Sequence, residues 1–166
     1  MPFQNSFYAG GTTDIRAFPA RTLGPGSYFD TLNSLNQIGD IRLQGTLEYR
    51  FPLFGLVKGA VFVDYGNIWM MNEDSLRSGG KFTKEFYNEI ALGSGFGLRF
   101  DFDFFVIRAD LGIPLHNPSL PQGERWIFMK SEDRVNYNQL VNSLSDDVNV
   151  RRPFLPVINI GVNYPF

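Results

Sequence analysis

The chain has 166 residues with 15 basic and 17 acidic side chains, a net charge of −2 and no basic cluster, which argues against nucleic acid as a partner. No apolar run approaches the ~18 to 20 residues of a membrane-spanning helix, so a helical membrane protein is excluded. With no Cys and a single His, a His/Cys metal site is not available.

In chain order, the first six residues lack the charged and apolar regions of a signal peptide. Either the chain is an excerpt of a longer precursor, or its export is directed in another way. Residues 10–40 then form a long stretch rich in Gly, Pro, Asn, Asp and Ser, read as a loop. The first predicted strand covers 41–51, with Leu43, Leu47, Tyr49 and Phe51 on one face and Arg42, Gln44, Thr46, Glu48 and Arg50 on the other. The second, 57–69, sets Val57, Val61, Val63, Tyr65 and Trp69 against Lys58, Ala60, Phe62, Asp64 and Gly66. The third, 90–102, sets Ile90, Leu92, Phe96, Leu98, Phe100 and Phe102 against Ala91, Gly93, Gly95, Gly97, Arg99 and Asp101. The fourth, 105–113, opposes Ile107, Leu111 and Ile113 to Arg108, Asp110 and Gly112. The chain closes on Ile158, Ile160, Val162, Tyr164 and Phe166, which alternate with Asn159, Gly161 and Asn163.

An apolar face against a polar one at period two is the pattern of a transmembrane barrel strand, lipid outside and lumen inside. The edge strand of a soluble sandwich alternates in the same way, so the closing segment alone does not decide. The connections and the charges do. Residues 52–55 and 101–104 leave room only for tight turns, whereas 10–40, 70–89 and 116–153 are long. Short turns at one end and long loops at the other are typical of an outer-membrane barrel, and a soluble domain rarely carries three such loops. Arg42, Glu48, Arg50, Asp64, Arg99, Asp101, Arg108 and Asp110 share the inward face, where unpaired charge in an apolar core would cost several kcal/mol. The aromatic load of 17 Phe, 7 Tyr and 2 Trp suits interfacial girdles, in which Trp69 and Tyr164 are placed.

Several ordered motifs carry a family resemblance. Phe7-Tyr-Ala-Gly-Gly-Thr-Thr-Asp-Ile-Arg-Ala-Phe18, followed by Arg21 and Leu23-Gly-Pro-Gly26, resembles the entry into the long sixth extracellular loop of the BamA/TamA outer-membrane assembly factors, also called the bacterial surface antigen family. Ile15-Arg16-Ala17-Phe18 stands where that family has Val-Arg-Gly-Phe or Tyr. Leu47-Glu-Tyr-Arg-Phe-Pro52, Val61-Phe-Val-Asp-Tyr-Gly-Asn-Ile-Trp69, Gly95-Phe-Gly-Leu-Arg-Phe100 and the closing Phe are similar to its last strands in order and spacing. Ala17 departs from the usual Gly and is penalised if that position requires φ > 0.

The resemblance implies an all-β fold: the C-terminal portion of a sixteen-stranded transmembrane β-barrel in the bacterial outer membrane, preceded by periplasmic POTRA domains. On that reading 1–40 is the end of a strand and the long extracellular loop, and 41–166 holds the last five strands. Five strands cannot close a barrel, so the rest of the wall comes from the remainder of the protein, a separate subunit or further copies, the first being favoured. The loop Arg16 is expected to meet Glu48 and Asp64 on the inner wall, where a bidentate pair fixes position more than it adds stability. Asn159, Gly161, Tyr164 and Phe166 resemble the C-terminal β-signal by which nascent barrels are recognised.

The implied function is a factor that inserts or exports envelope proteins through a gated seam between its first and last strands. Its expected partners are outer-membrane lipid, client outer-membrane or exported proteins and accessory lipoproteins. A secretion transporter, a lipase-linked relative, a simple pore or a surface antigen are the alternatives. Pro156 and Pro165 lack N–H groups and would weaken the seam, unless both lie at strand ends. Gly93-Ser-Gly-Phe-Gly97 precedes no helix, so its glycines are read as lumen space for a folded-in loop rather than a phosphate cradle. His116 is placed in a loop. No Ser-His-Asp arrangement is evident, the family's lipase relatives carry their catalytic residues on another domain, and neither enzyme activity nor a cofactor is expected here.

Overall fold

Strict alternation over ten or more residues leaves a strand only one register that keeps its apolar residues on one face, and the chain adopts it. The structure, a computed structural model, describes residues 6–28, 37–102, 104–128 and 154–163. Five strands, β1 (Ile41–Phe54), β2 (Val57–Trp69), β3 (Ala91–Phe102), β4 (Phe105–His116) and β5 (Val157–Asn163), form one antiparallel sheet in chain order. Among the described residues the helical structure is a single 3-10 turn, Phe86–Glu89, and no helix is long and apolar enough to cross a membrane.

Burial is inverted relative to a soluble domain. Leu47 and Ile158 are 70% and 75% exposed, while Asp64 and Asp110 are 0% and 2% exposed. Apolar side chains face out along β1, β2, β3 and β5, and the buried ones cluster instead where residues 9–23 pack against Ile68 and Ala91. Such a sheet is stable only with hydrocarbon on its outer face and a polar interior on the other.

The strand ends differ from the sequence expectation for local reasons. β1 runs past Pro52 because a register slip between Pro52 and Phe54 absorbs the missing donor, leaving only Gly55 and Leu56 as the turn. Gly55 has φ +52, the left-handed conformation a two-residue hairpin requires. β4 likewise runs through Pro114 to His116, with the slip between Leu92 and Gly93 falling opposite the proline. His116 therefore ends a strand rather than lying in a loop, its Nδ1 2.7 Å from the Ile90 carbonyl and its ring 4.6 Å from that of Trp126. Pro156 directly precedes β5 and so removes no donor within it, while Pro165 lies outside the described residues.

Trp69 does not serve as an open girdle residue. It is 0% exposed, with Phe82 and Phe86 packed edge-on at 5.5 and 6.1 Å, and its indole N–H donates to Glu89 Oε2 at 2.7 Å. Burial pushes the Glu89 carboxyl above its ordinary range, an effect the indole bond partly offsets. The long 70–89 connection folds back on the strand end it leaves; Asn67 Nδ2 donates to the carbonyls of Gly26 and Glu89 at 2.8 and 2.5 Å, joining two connections at one rim. Tyr164 lies outside the described residues.

Leu47 sits midway along β1 on the outer face. Leu47→Arg is expected to destabilise the membrane-inserted protein by about 2 to 4 kcal/mol, and Leu47→Phe by much less. Urea titration of the two variants in lipid vesicles measures the difference.

Candidate functional site

The site is assembled by a short hairpin that precedes the sheet. Gly11 N–H donates to Phe18 O at 2.9 Å, Phe18 N–H to Ile15 O at 3.0 Å, and Asp14 Oδ2 accepts from Gly10 N–H at 3.0 Å. Gly10, at φ +95, lies where a Cβ would run into the Pro19 carbonyl, so no other residue closes this turn without displacement. Ile15, Phe18 and Leu23 are buried with Ile68 and Ala91, which anchors the hairpin by its apolar side chains and leaves Arg16 and Ala17 at the wall.

The wall is cut back where they land. A Cβ on Gly93 would collide with the Ala17 methyl, and one on Gly112 would meet Arg16 O at 2.6 Å and Ala17 Cα at 2.8 Å. Among the described residues Arg21 alone of the non-glycines has positive φ, so Ala17 needs no left-handed backbone and its departure from Gly carries no conformational penalty. Its methyl instead fills the space that Gly93 leaves.

Arg16 is held by nearly every polar atom it has. Its backbone N–H donates to Asp64 Oδ2 at 3.0 Å, its Nε to the same oxygen at 2.8 Å, and its Nη2 to Asp64 Oδ1 at 2.8 Å. Nη1 donates to Glu48 Oε2 at 2.6 Å, and the guanidinium carbon lies 3.4 Å from the Phe62 ring centroid. This is a fork-to-fork pair with a second carboxylate and an aromatic face, geometry that only a planar guanidinium can satisfy. Burial acts to lower the Arg16 pKa, but the bonds to Asp64 and Glu48 outweigh it, and the group is held charged more firmly than in water.

The network extends beyond the three residues that sequence placed together. Glu48 also receives Arg99 Nη2 at 3.1 Å and Arg50 Nε at 2.6 Å, and Arg99 Nη1 donates to Asp110 Oδ1 at 2.6 Å. Asp110 Oδ2 stands 3.8 Å from Arg16 Nη1 and accepts no hydrogen bond among the described residues. Around the hairpin, Arg108 Nη2 donates to Thr12 O at 2.6 Å and Arg42 Nη2 lies 3.3 Å from Asp14 Oδ2. Burial raises the Asp14 carboxyl and Arg42 partly offsets this.

Sequence reasoning put Arg99 and Asp110 on the inner wall but not in the set around Arg16. They pair diagonally across β3 and β4, where Arg99 stands opposite Arg108 and Asp110 opposite Gly97, a relation visible only once register is known. Phe62 and Gly112 were likewise missed. Of the residues read as a C-terminal signal, Asn159 turns into the site, its Nδ2 donating to Arg16 O at 2.8 Å, and Gly161 leaves room for Arg108. Tyr164 and Phe166 lie outside the described residues.

An antiparallel sheet that is apolar outside and charged inside, with a loop arginine seated on its inner wall, defines a segment of an outer-membrane β-barrel. The chain belongs to the Omp85 superfamily, whose domain model matches residues 1–133. It is a bacterial outer-membrane protein. It is similar to the outer membrane protein assembly factor BamA of Neisseria meningitidis serogroup B, with 30% identity over 74 residues; this stretch covers 42% of the chain and 9% of that protein.

Asp64→Asn keeps the shape of the pair and leaves the buried Arg16 short of one negative charge. The expected cost is about 3 to 5 kcal/mol of barrel stability, read as a lower urea midpoint. Arg16→Lys is expected to recover little of the Arg16→Ala loss in the same titration, because an ammonium cannot reproduce the fork.

Proposed function

We propose that this segment belongs to an assembly or translocation factor whose barrel inserts or exports envelope proteins through a gated seam, with the 6–28 loop locked inside by Arg16. The observation that carries the reading is the complete engagement of Arg16 by Asp64 and Glu48 on the inner wall. In a pore an inward loop serves to narrow the channel, and that does not require each polar atom of one arginine to be engaged. A machine that must hold one barrel shape and then leave it gains a defined resting state from a directional charged pair. Kinship with the Omp85 superfamily and similarity to an assembly factor support the same reading.

On this proposal the complete protein includes the rest of the barrel wall and periplasmic POTRA domains. Its partners are outer-membrane lipid, client outer-membrane or exported proteins, and accessory lipoproteins. These residues carry no catalytic role and take no cofactor; their work is positional. Asn159, Gly161, Tyr164 and Phe166 form the signal by which the protein's own barrel is recognised during assembly, an edge strand read by strand addition.

Arg16→Ala in the complete protein is expected to reduce client insertion severalfold while circular dichroism shows unchanged strand content. Conductance in planar bilayers is expected to be small and intermittent for the native protein. A large steady conductance with no client insertion by the native protein would establish a pore instead, and normal insertion by the variant would remove the lock. Deletion of Phe166 removes an aromatic side chain whose burial is worth about 1.5 to 3 kcal/mol. The truncated protein should reach the periplasm but remain urea-extractable and protease-sensitive, where normal heat-modifiable migration would contradict the signal.

A further inference from the structure

We propose that Asn159 is a positioning residue that ties the closing strand to the docked loop, so that release of either one loosens the other. This rests on the reading of Arg16 as the loop's lock and adds to it a mechanical connection to the strand at the sheet's edge.

β5 closes one edge of the sheet. Its seven described residues pair with β4 alone among the described strands, and Ile158, Ile160 and Val162 lie on an exposed outer face. On its inner face Asn159 is only 5% exposed, and its Nδ2 donates to the Arg16 carbonyl at 2.8 Å, across 143 positions of sequence. Arg16 is thus gripped from both sides. Asp64 of β2 and Glu48 of β1 take its N–H and guanidinium, while Asn159 of β5 takes its C=O. One loop residue spans the inner wall from the first strand of the sheet to the last.

The residue type fits this task. A carbonyl accepts and cannot donate, so a buried wall residue facing it must bring a donor. Asp110 of β4 stands directly opposite, so Asp at this position would set two carboxylates side by side and aim one at a carbonyl oxygen, whereas the long side chain of Arg or Lys would crowd the Arg16 backbone. The neutral amide donates without either cost. Gly112 on β4 admits the Arg16 carbonyl, and a Cβ there would stand 2.6 Å from its oxygen. β4 holds the same loop through Arg108 and the Thr12 carbonyl, and Gly161 of β5 leaves the space in which Arg108 lies. Binding of the loop and closure of β5 therefore share contacts, and by linkage each must stabilise the other to the same extent.

The test is hydrogen–deuterium exchange on the complete protein in proteoliposomes, without client, following peptides from 157–163 and from the loop. Arg16→Ala and Asn159→Ala, which removes the amide without setting a second carboxylate opposite Asp110, should each speed β5 exchange by roughly two- to tenfold, the range for one buried hydrogen bond. The double variant should exchange no faster than the faster single variant. Gly93→Val provides an independent arm, because it lies on β3, which is not paired with β5, and its Cβ would collide with the Ala17 methyl of the loop while only reaching ordinary contact with Ile113 O of β4. It too should speed β5 exchange. The proposal is overturned by multiplying effects in the double variant, or by Gly93→Val freeing the loop while β5 keeps its protection. Client insertion measured on the same variants separates this from the functional reading. Coupled exchange with normal insertion leaves the tie standing and removes the gated-seam function, whereas independent exchange with lost insertion does the reverse.

Discussion

Charge within and hydrocarbon without is the constraint on which the rest of the structure depends. Each strand must send every second residue into lipid and its neighbours into the interior, so the interior inherits whatever polar groups the sequence supplies. In this sheet it inherits full charges: Asp64, Asp110, Glu48, Arg99 and Arg108. Closing a loop over such a surface would bury unpaired ions at a cost of several kcal/mol each, unless the loop brings complementary groups. Arg16 is that complement, and the hairpin around it exists to deliver one guanidinium at one depth.

Delivery also needs room, and the wall provides it by subtraction. Gly93, Gly112 and Gly161 fall on the inward face of three successive strands, beneath Ala17, the Arg16 carbonyl and the Arg108 side chain respectively. Glycine in a strand interior weakens that strand, so the sheet gives up local stability to obtain a close backbone approach. The apolar residues of the hairpin recover part of it by burying Ile15, Phe18 and Leu23 against Ile68 and Ala91.

Much of this was legible in the sequence, because period-two alternation records both the element and its faces. Of the inward set that parity assigned, Arg42, Glu48, Asp64, Arg108 and Asn159 meet the loop, while Lys58 and Asp101 pair with each other, and the glycines of 93–97 were read as space for a folded-in segment. What was not legible depends on register or on tertiary cover. Strand ends at Phe54 and His116 were missed because bulges carry the ladder past Pro52 and Pro114, where composition alone signals a stop. Trp69 has the parity of a lipid-facing girdle residue, but the next connection covers it with Phe82 and Phe86, a contact between distant positions that no local pattern encodes. Asn159 was read for its place in a terminal motif, whereas its amide serves a carbonyl near the other end of the chain.

Glu48 divides its two oxygens among three arginines: Arg16 and Arg99 on one, Arg50 on the other. When Arg16 leaves, Glu48 keeps two of its cations and Asp110 keeps Arg99, so Asp64 is the wall carboxylate left without a cation, while Arg108 and Arg42 give up their contacts to Thr12 and Asp14. A single carboxylate in a polar interior is readily hydrated, and the vacated wall is close to electroneutral. The arrangement therefore behaves like a latch rather than a rivet: it defines the closed position sharply, yet opening it strands one carboxylate and leaves the other wall carboxylates paired.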